Sequence, residues 1–359
     1  MKINHLDLFS GIGGFHLGFE KAGFEVNSYF SEIDKYAIDV YKNNFKNSKY
    51  VGSVTDVRGT QLPKIDAITF GSPCQDFSLA GKRKGMGGDR SSLITEAIRL
   101  IDECRPRFFV WENVKGTFSS NNGEDFWAII QAFTNIGGYR LEWQLLNTKW
   151  FLPQNRERIY LVGYLGNGSG GQVFPIRENS KQINELQGQQ TNTCCLTTRY
   201  GADGNGSYLI ERKLNAQKVE VGDYRYDEGF RWRKDNNSPT LHLKSNEILV
   251  KSATSRGYEE AVEGDSINYS NPNSETRRGR VGKGVAQTLD TSCNQAVIDN
   301  NIRRLTPIEC ERLQGFPDNW TEYGKSGKIS DTQRYKMCGN AVTVDVVEAV
   351  AKNIIKVIK

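Results

Sequence analysis

The chain has 359 residues, a formal net charge of +5 and 37% hydrophobic residues. That length allows two domains and a sizeable core, and the mild basic balance permits a polyanionic partner without demanding one. No apolar run approaches membrane-spanning length, and Met1-Lys2-Ile3-Asn4-His5 turns polar too early for a signal peptide, so neither a membrane nor a secreted protein is predicted.

The seven cysteines show no C-x-x-C spacing and read as reduced thiols of a cytoplasmic protein. The three histidines are scattered and form no metal cluster.

Ile3 to Phe9 reads as a first strand. It runs into Phe9-Ser10-Gly11-Ile12-Gly13-Gly14, where glycines permit a tight turn and close backbone approach before a helix through about Ala22. Such a loop suits a nucleotide-type cofactor, although glycine-rich turns occur in many α/β proteins. Phe24 to Phe30 is the second strand, closed by Ser31-Glu32-Ile33-Asp34. An acid at that point, about twenty residues past the glycines, is placed to hold ribose hydroxyls. Glu32 fits that role better than Asp34, which can cap the helix Lys35 to Asn44. Gly52 to Val57 reads as a short third strand or a turn.

Ile65 to Phe70 predicts a buried parallel strand, stopped by Gly71-Ser72-Pro73. Cys74 follows at the carboxyl end of that strand, the sheet edge where ligands bind in open α/β folds. A thiol there is a candidate nucleophile; the plainer reading is a small buried hydrophobe. Gly81 to Arg90 is glycine-rich and basic, either a solvated connection or a lid over a polyanion. Ser91 to Cys104 has helical apolar spacing. Arg107 to Trp111 is the next buried strand, and it delivers Glu112 to the same edge as Cys74. A carboxyl among apolar neighbours beside a nucleophile suits acid chemistry. Asp125 to Ile136 predicts a helix, Tyr139 to Leu146 and Ile159 to Tyr164 strands. Arg156 and Arg158, two apart, would point the same way on an extended backbone and reach one site.

Composition changes at Gly166. Residues 166–301 are rich in Asn, Gly, Ser, Thr and Arg. They contain a loose echo: Cys195-Leu196-Thr197-Thr198, Pro239-Thr240-Leu241-His242-Leu243 and Gln287-Thr288-Leu289-Asp290-Thr291. A short apolar segment follows each, Ile248 to Val250 and Ala296 to Ile298 among them, which predicts about three hairpins in a small β-rich domain. Arg277, Arg278 and Arg280 form a basic strip there. Thr306 then caps a helix from Pro307, with Glu309 completing a capping box. Gly339-Asn340-Ala341-Val342 opens a last amphipathic helix to about Val357, which returns to the first sheet. The predicted division is therefore 1–165, an inserted 166–301, and 302–359 completing the first domain.

In combination and order, Asp7 to Gly14, Pro73-Cys74-Gln75, Glu112-Asn113-Val114, Gln154 to Arg158, Arg304-Leu305-Thr306 through Gly315-Phe316-Pro317, and Gly339 to Val342 resemble the cytosine-C5 DNA methyltransferases. The resemblance runs from Leu6 to Ile355, the middle region excepted. It implies an α/β fold with a Rossmann-like methyltransferase sheet, helices on both faces, and a smaller β-rich target-recognition domain.

The implied cofactor is S-adenosyl-L-methionine. Phe9 would stack on adenine and Glu32 would hold the ribose. Ser10, Gly11, Ile12, Gly13, Gly14, Ile33, Pro73, Leu93, Asn340, Ala341 and Val342 would complete the pocket. The family usually places an aspartate after the glycine equivalent to Gly52; Ser53 stands there, and Asp56 is out of register. The implied chemistry has Cys74 adding to C6 of a flipped-out cytosine, Glu112 on N3, Arg158 on O2, and Arg156 fixing the thiolate or a phosphate. Gln75, Ser78, Lys82, Arg83, Lys84 and Arg90 would contact double-stranded DNA, and the strip at Arg277, Arg278 and Arg280 would do so from the inserted domain. A monomer, acting independently of any cognate restriction endonuclease, is expected. Rival readings are a tRNA cytosine-5 methyltransferase, a silent sequence-specific DNA-binding protein, and a nicotinamide oxidoreductase. The last leaves Pro73-Cys74-Gln75 unexplained.

Overall fold

The computed structural model describes residues 1–71, 93–166, 171–177, 221–225, 229–232, 248–270, 274, 276, 278–299 and 301–358. Cys74 and the loop to Arg90, Arg277, and the first two Thr-Leu echoes lie outside the described residues.

The main sheet has seven strands in the order β3-β2-β1-β4-β5-β8-β6. These are β1 (Lys2–Leu8), β2 (Glu25–Ser31), β3 (Lys49–Tyr50), β4 (Ala67–Gly71), β5 (Phe108–Val114), β6 (Tyr139–Asn147) and β8 (Glu157–Leu165). The first five run parallel; β8 lies antiparallel to β5, and β6 antiparallel to β8. From β1 the chain winds outward to β2 and β3, then returns to β4 on the other side. The switch point thus falls between β1 and β4, where the crevice of an open α/β sheet takes its ligand.

Both faces of this sheet are covered, so its strands are near-continuously buried. Ile3, Phe108 and Val162 pack on one side with Val347 and Ile354 of the C-terminal helix. Leu6, Leu8, Ile68, Phe109 and Trp111 pack on the other with Leu100 and Phe133. Those residues come from helices α3 (Leu93–Cys104) and α4 (Glu124–Asn135). Helix α1 (Gly14–Lys21) follows the glycine turn, and α2 (Lys35–Asn44) is capped by Asp34, whose Oδ1 accepts the N–H of Tyr36 and Ala37.

The region after Gly166 contributes two four-stranded antiparallel sheets. One places Ile248–Lys251 between Val221–Arg225 and Tyr258–Ala261. In the other, Ser266–Asn268 pairs with Gln295–Asp299, and that strand pairs with Asn301–Arg304, so the sheet crosses the expected boundary at 301. The third predicted hairpin does not form. Ala286–Gln287 pairs in parallel with Gln154–Asn155 (β7), and not with the segment at Ala296. Thr288 adds a bond to the carbonyl of Asn155 at 2.9 Å. The echo therefore joins the inserted region, through a separate two-stranded sheet, to the segment that leads into β8.

Helix α5 (Pro307–Leu313) carries the predicted capping box at Thr306 and Glu309. Sequence reading missed α6 (Asp331–Asn340). The turn at Asn340 closes that helix, and the last helix, α7 (Val344–Ile358), begins only after it. Among the described residues no helix is long and apolar enough to cross a membrane.

Candidate active site

The turn after β1 has three residues in left-handed backbone: Phe9, Gly11 and Gly13. Gly13 and Gly14 accept no side chain. A Cβ on Gly14 would lie 2.6 Å from Val342 Cγ2, so the turn at Ala341-Val342 is seated directly on the glycine loop. Phe316 and Trp320 brace the same loop, the indole donating to the carbonyl of Ile12 at 3.0 Å. Nothing in the sequence signals that contact across 308 positions.

Glu32 lies where the sequence reading put it, at the carboxyl end of β2. Its Oε2 accepts the N–H of Gly11 at 2.9 Å, and Oε1 accepts those of Ile33 and Asp34 at 2.7 and 2.9 Å. The carboxylate ties the glycine turn to the end of β2 and keeps further acceptor capacity on both oxygens. Beside it Ile33 is 78% exposed, an uncovered apolar surface next to a fixed carboxylate. Ser10 Oγ is buried with no hydrogen-bond partner. Ser53 stands after Gly52; its carbonyl accepts from Asp56 and Val57, and Asp56 is exposed on the next turn. Leu93 is half-buried at the start of α3. Ile12 is turned into the core, so only its backbone borders the turn.

The second half of the site lies along the edge of β4, β5 and β8. Gly71, Glu112 and Tyr160 are register partners on those strands. Glu112 is 8% exposed. Its Oε1 stands 3.2 Å from Arg158 Nε, yet it is buried without a hydrogen-bond partner, because the guanidinium approaches as a charge and not along an N–H. A buried, unfilled acceptor is rare and marks a place for a donor. A Cβ on Gly71 would lie 3.1 Å from Glu112 Oε2, so the strand that leads toward Cys74 passes against this carboxyl.

The two arginines do not share a target. Arg156 is 4% exposed and donates to the carbonyls of Ala341 at 2.9 Å and Gly339 at 3.4 Å. Burial first, and then the Arg158 charge, push its guanidinium down to about 10, so it stays charged at neutral pH. Its Nε is buried without a hydrogen-bond partner. Arg280, expected on DNA, is likewise inside. It donates to the carbonyls of Asn268 and Ser270, and only Arg278 of the described strip is exposed.

Beside Arg158 opens a cleft of about 420 Å³, lined by Val114, Lys115, Asn155, Gln287 and Thr288 among others. One wall belongs to the main sheet and the other to the inserted region. Lys115 pairs with Glu157 at 2.9 Å at its border.

The profile of the C-5 cytosine-specific DNA methylase family matches residues 3–356. The chain belongs to this family. Type II methyltransferase M1.ScrFI of Lactococcus lactis subsp. cremoris is 32% identical to this methylase over 364 residues, covering 100% of this chain and 79% of its own length. M.NlaX of Neisseria lactamica, also a type II methyltransferase, is 32% identical over 349 residues, covering 97% and 94%. Orphan methyltransferase M.SPRI of Bacillus phage SPR is 28% identical over 430 residues, covering 99% and 98%. Among solved structures, the Entamoeba histolytica methyltransferase EhMeth superposes with a TM-score of 0.57 at 16% identity, covering 100% and 99%. S. pombe Dnmt2 methyltransferase gives 0.57 at 18% identity, covering 99% and 98%. At those identities the likeness establishes the shared α/β methyltransferase fold of this methylase.

Proposed function

We propose that this methylase transfers a methyl group from S-adenosylmethionine to C5 of a flipped-out cytosine in a short, specific sequence of duplex DNA. The observation that carries this reading is the buried, unfilled Oε1 of Glu112 beside Arg158 at the sheet edge.

The residues present fit the cofactor. Glu32 offers acceptors to ribose hydroxyls, Ile33 an apolar surface to adenine, and Ser10 an unpaired buried hydroxyl. Phe9, Gly11 to Gly14, Pro73, Leu93 and the Asn340-Ala341-Val342 turn are proposed to complete the pocket. Ser53 takes the place of the usual aspartate, with a hydroxyl in place of a carboxylate for the adenine amino group. When bound, S-adenosylmethionine supplies an electrophilic methyl group.

The remaining chemistry belongs to this chain. Cytosine C5 is too weakly nucleophilic alone. Addition of the Cys74 thiolate to C6 makes C5 enamine-like. Glu112 takes the position of hydrogen-bond partner to N3, so negative charge does not build up on the ring. Arg158 holds O2. After C5 is methylated, water removes the C5 proton and the electron pair expels Cys74 from C6. Only Ser72 and Pro73 separate Gly71 from Cys74, a reach of at most ~11 Å, which suits delivery of the thiol to Glu112. A stacked base cannot reach such a site, so the base must leave the duplex. Gln75, Ser78 and the basic residues Lys82 to Arg90 are proposed to hold the opened DNA. The region 166–301 is proposed to read the sequence, with Arg277 and the exposed Arg278 as its DNA contacts. The enzyme is proposed to act as a cytoplasmic monomer, any cognate restriction endonuclease working independently.

The test supplies methyl-labelled S-adenosylmethionine with duplex DNA or tRNA and identifies the labelled nucleoside after digestion. Label in 5-methyldeoxycytidine supports the reading. Label confined to tRNA moves the substrate to RNA. Binding of DNA and cofactor with no label makes the chain a silent binder.

A further inference from the structure

Arg156, in the break between β7 and β8, and Arg158, within β8, contact different halves of the site. Arg158 meets Glu112. Arg156, close enough to feel the charges of both, places its two terminal nitrogens on the carbonyls of Gly339 and Ala341. Those carbonyls lie at the carboxyl end of α6, where a helix leaves acceptors unpaired and favours a positive charge. The same turn is pinned elsewhere. Thr343 Oγ1 lies 2.9 Å from Thr148 Oγ1 and donates to Gln314 Oε1 at 2.9 Å, while Gln314 donates to the carbonyl of Cys338. One residue past Ala341, Val342 rests on Gly14 and comes within 4.0 Å of a Cβ built on Gly71. The position of Val342 therefore depends on a turn whose carbonyls are held from the catalytic strand.

We infer that Arg156 is a positioning residue for the cofactor pocket: it clamps the Gly339–Ala341 turn over the glycine loop and ties that turn to the strand bearing Arg158. This assignment rests on the cofactor reading above; Cys74, the other partner expected for Arg156, lies outside the described residues. A guanidinium suits the task because its planar fork spans two carbonyls at once. An ammonium on a flexible stem satisfies one at a time.

The test compares wild type, Arg156→Lys and Arg156→Ala by calorimetric titration with S-adenosylhomocysteine, together with DNA affinity and steady-state kinetics. Arg156→Ala is expected to weaken cofactor binding at least tenfold and to raise the cofactor KM in parallel. DNA affinity should stay within twofold, and kcat at saturating cofactor within threefold. Arg156→Lys should fall between the two. A general structural defect would lower kcat and DNA affinity as well. If the alanine variant does not fold, the lysine variant carries the test. Cofactor affinity within twofold of wild type, with kcat or DNA binding lost, overturns the inference. Wild type that binds no S-adenosylhomocysteine removes the cofactor reading and this inference with it; wild type that binds, with both variants equal to it, removes this inference alone.

Discussion

Glu112 and Arg158 stand 3.2 Å apart on adjacent antiparallel strands, yet the facing carboxylate oxygen has no hydrogen bond. A pair evolved only to hold the strands together would close that bond. The open acceptor points to a third group that completes it during the reaction. Glu112→Gln keeps the shape and loses the proton chemistry. We expect single-turnover methylation to slow by ~10²- to 10⁴-fold, the range for general acid–base groups. Cofactor affinity should not change. Arg158→Ala should slow the same step, and the double variant should fall short of the product of the two losses, because the groups act together. Additive losses would separate them.

Glu32 joins Gly11 to the end of β2 while offering acceptors outward. Glu32→Ala would remove the two hydrogen bonds proposed to the ribose, at about 1 kcal/mol each, and loosen the turn. S-adenosylmethionine binding should weaken by roughly 10- to 100-fold in a calorimetric titration. Unchanged affinity would take Glu32 out of the pocket.

Gly14→Ala puts a methyl group 2.6 Å from Val342 Cγ2 and 3.0 Å from the Val342 carbonyl oxygen. The side chain can shift, but the carbonyl is backbone. We expect a loss of about 1–3 kcal/mol in denaturant unfolding, the cost of overpacking. Adding Val342→Ala should recover part of it. A variant as stable as wild type would mean that the C-terminal turn is not seated on this loop.

Asp7 is fully buried under the glycine turn. Burial raises its pKa well above the ordinary range against the hydrogen bonds from Thr69 and Tyr41, and the Glu32 charge adds to the rise. The folded chain therefore keeps this proton to higher pH than the unfolded chain, whose aspartate titrates near ~3.9. The sign follows: stability from this group falls as pH rises from about 4 toward the folded value, then levels. Asp7→Asn has no proton to lose. Its unfolding free energy relative to wild type should improve as pH rises above about 4 and level once the folded Asp7 ionises. A pH-independent difference would contradict a protonated Asp7.

Local signals survived folding well. The glycine turn, Glu32 at the end of β2, the Asp34 cap and the Thr306–Glu309 box depend on neighbours a few residues away, and each stands where its residues predict. Long-range pairing was not legible. Gln287-Thr288 resembles its echoes in sequence, but Ala286-Gln287 pairs with Gln154-Asn155 and Thr288 bonds the Asn155 carbonyl, because the partner strand comes from a distant part of the chain. Helix α6 lacks an apolar stripe since part of its buried face is Arg334, whose charge is met inside by Glu311 at 3.0 Å. Arg156 reads as a second cation for the catalytic site and Arg280 as a DNA contact for the same reason: a buried arginine that donates to backbone carbonyls leaves no mark in composition.

The most direct measurement is base-resolution mapping of 5-methylcytosine in a bacterium without cytosine methylation of its own, expressing either this chain or its Cys74→Ser variant. Methylation confined to one short motif with wild type, and absent with the variant, is the predicted result. A genome left unmodified by folded, cofactor-binding wild-type protein, or one modified equally by the variant, would contradict the account.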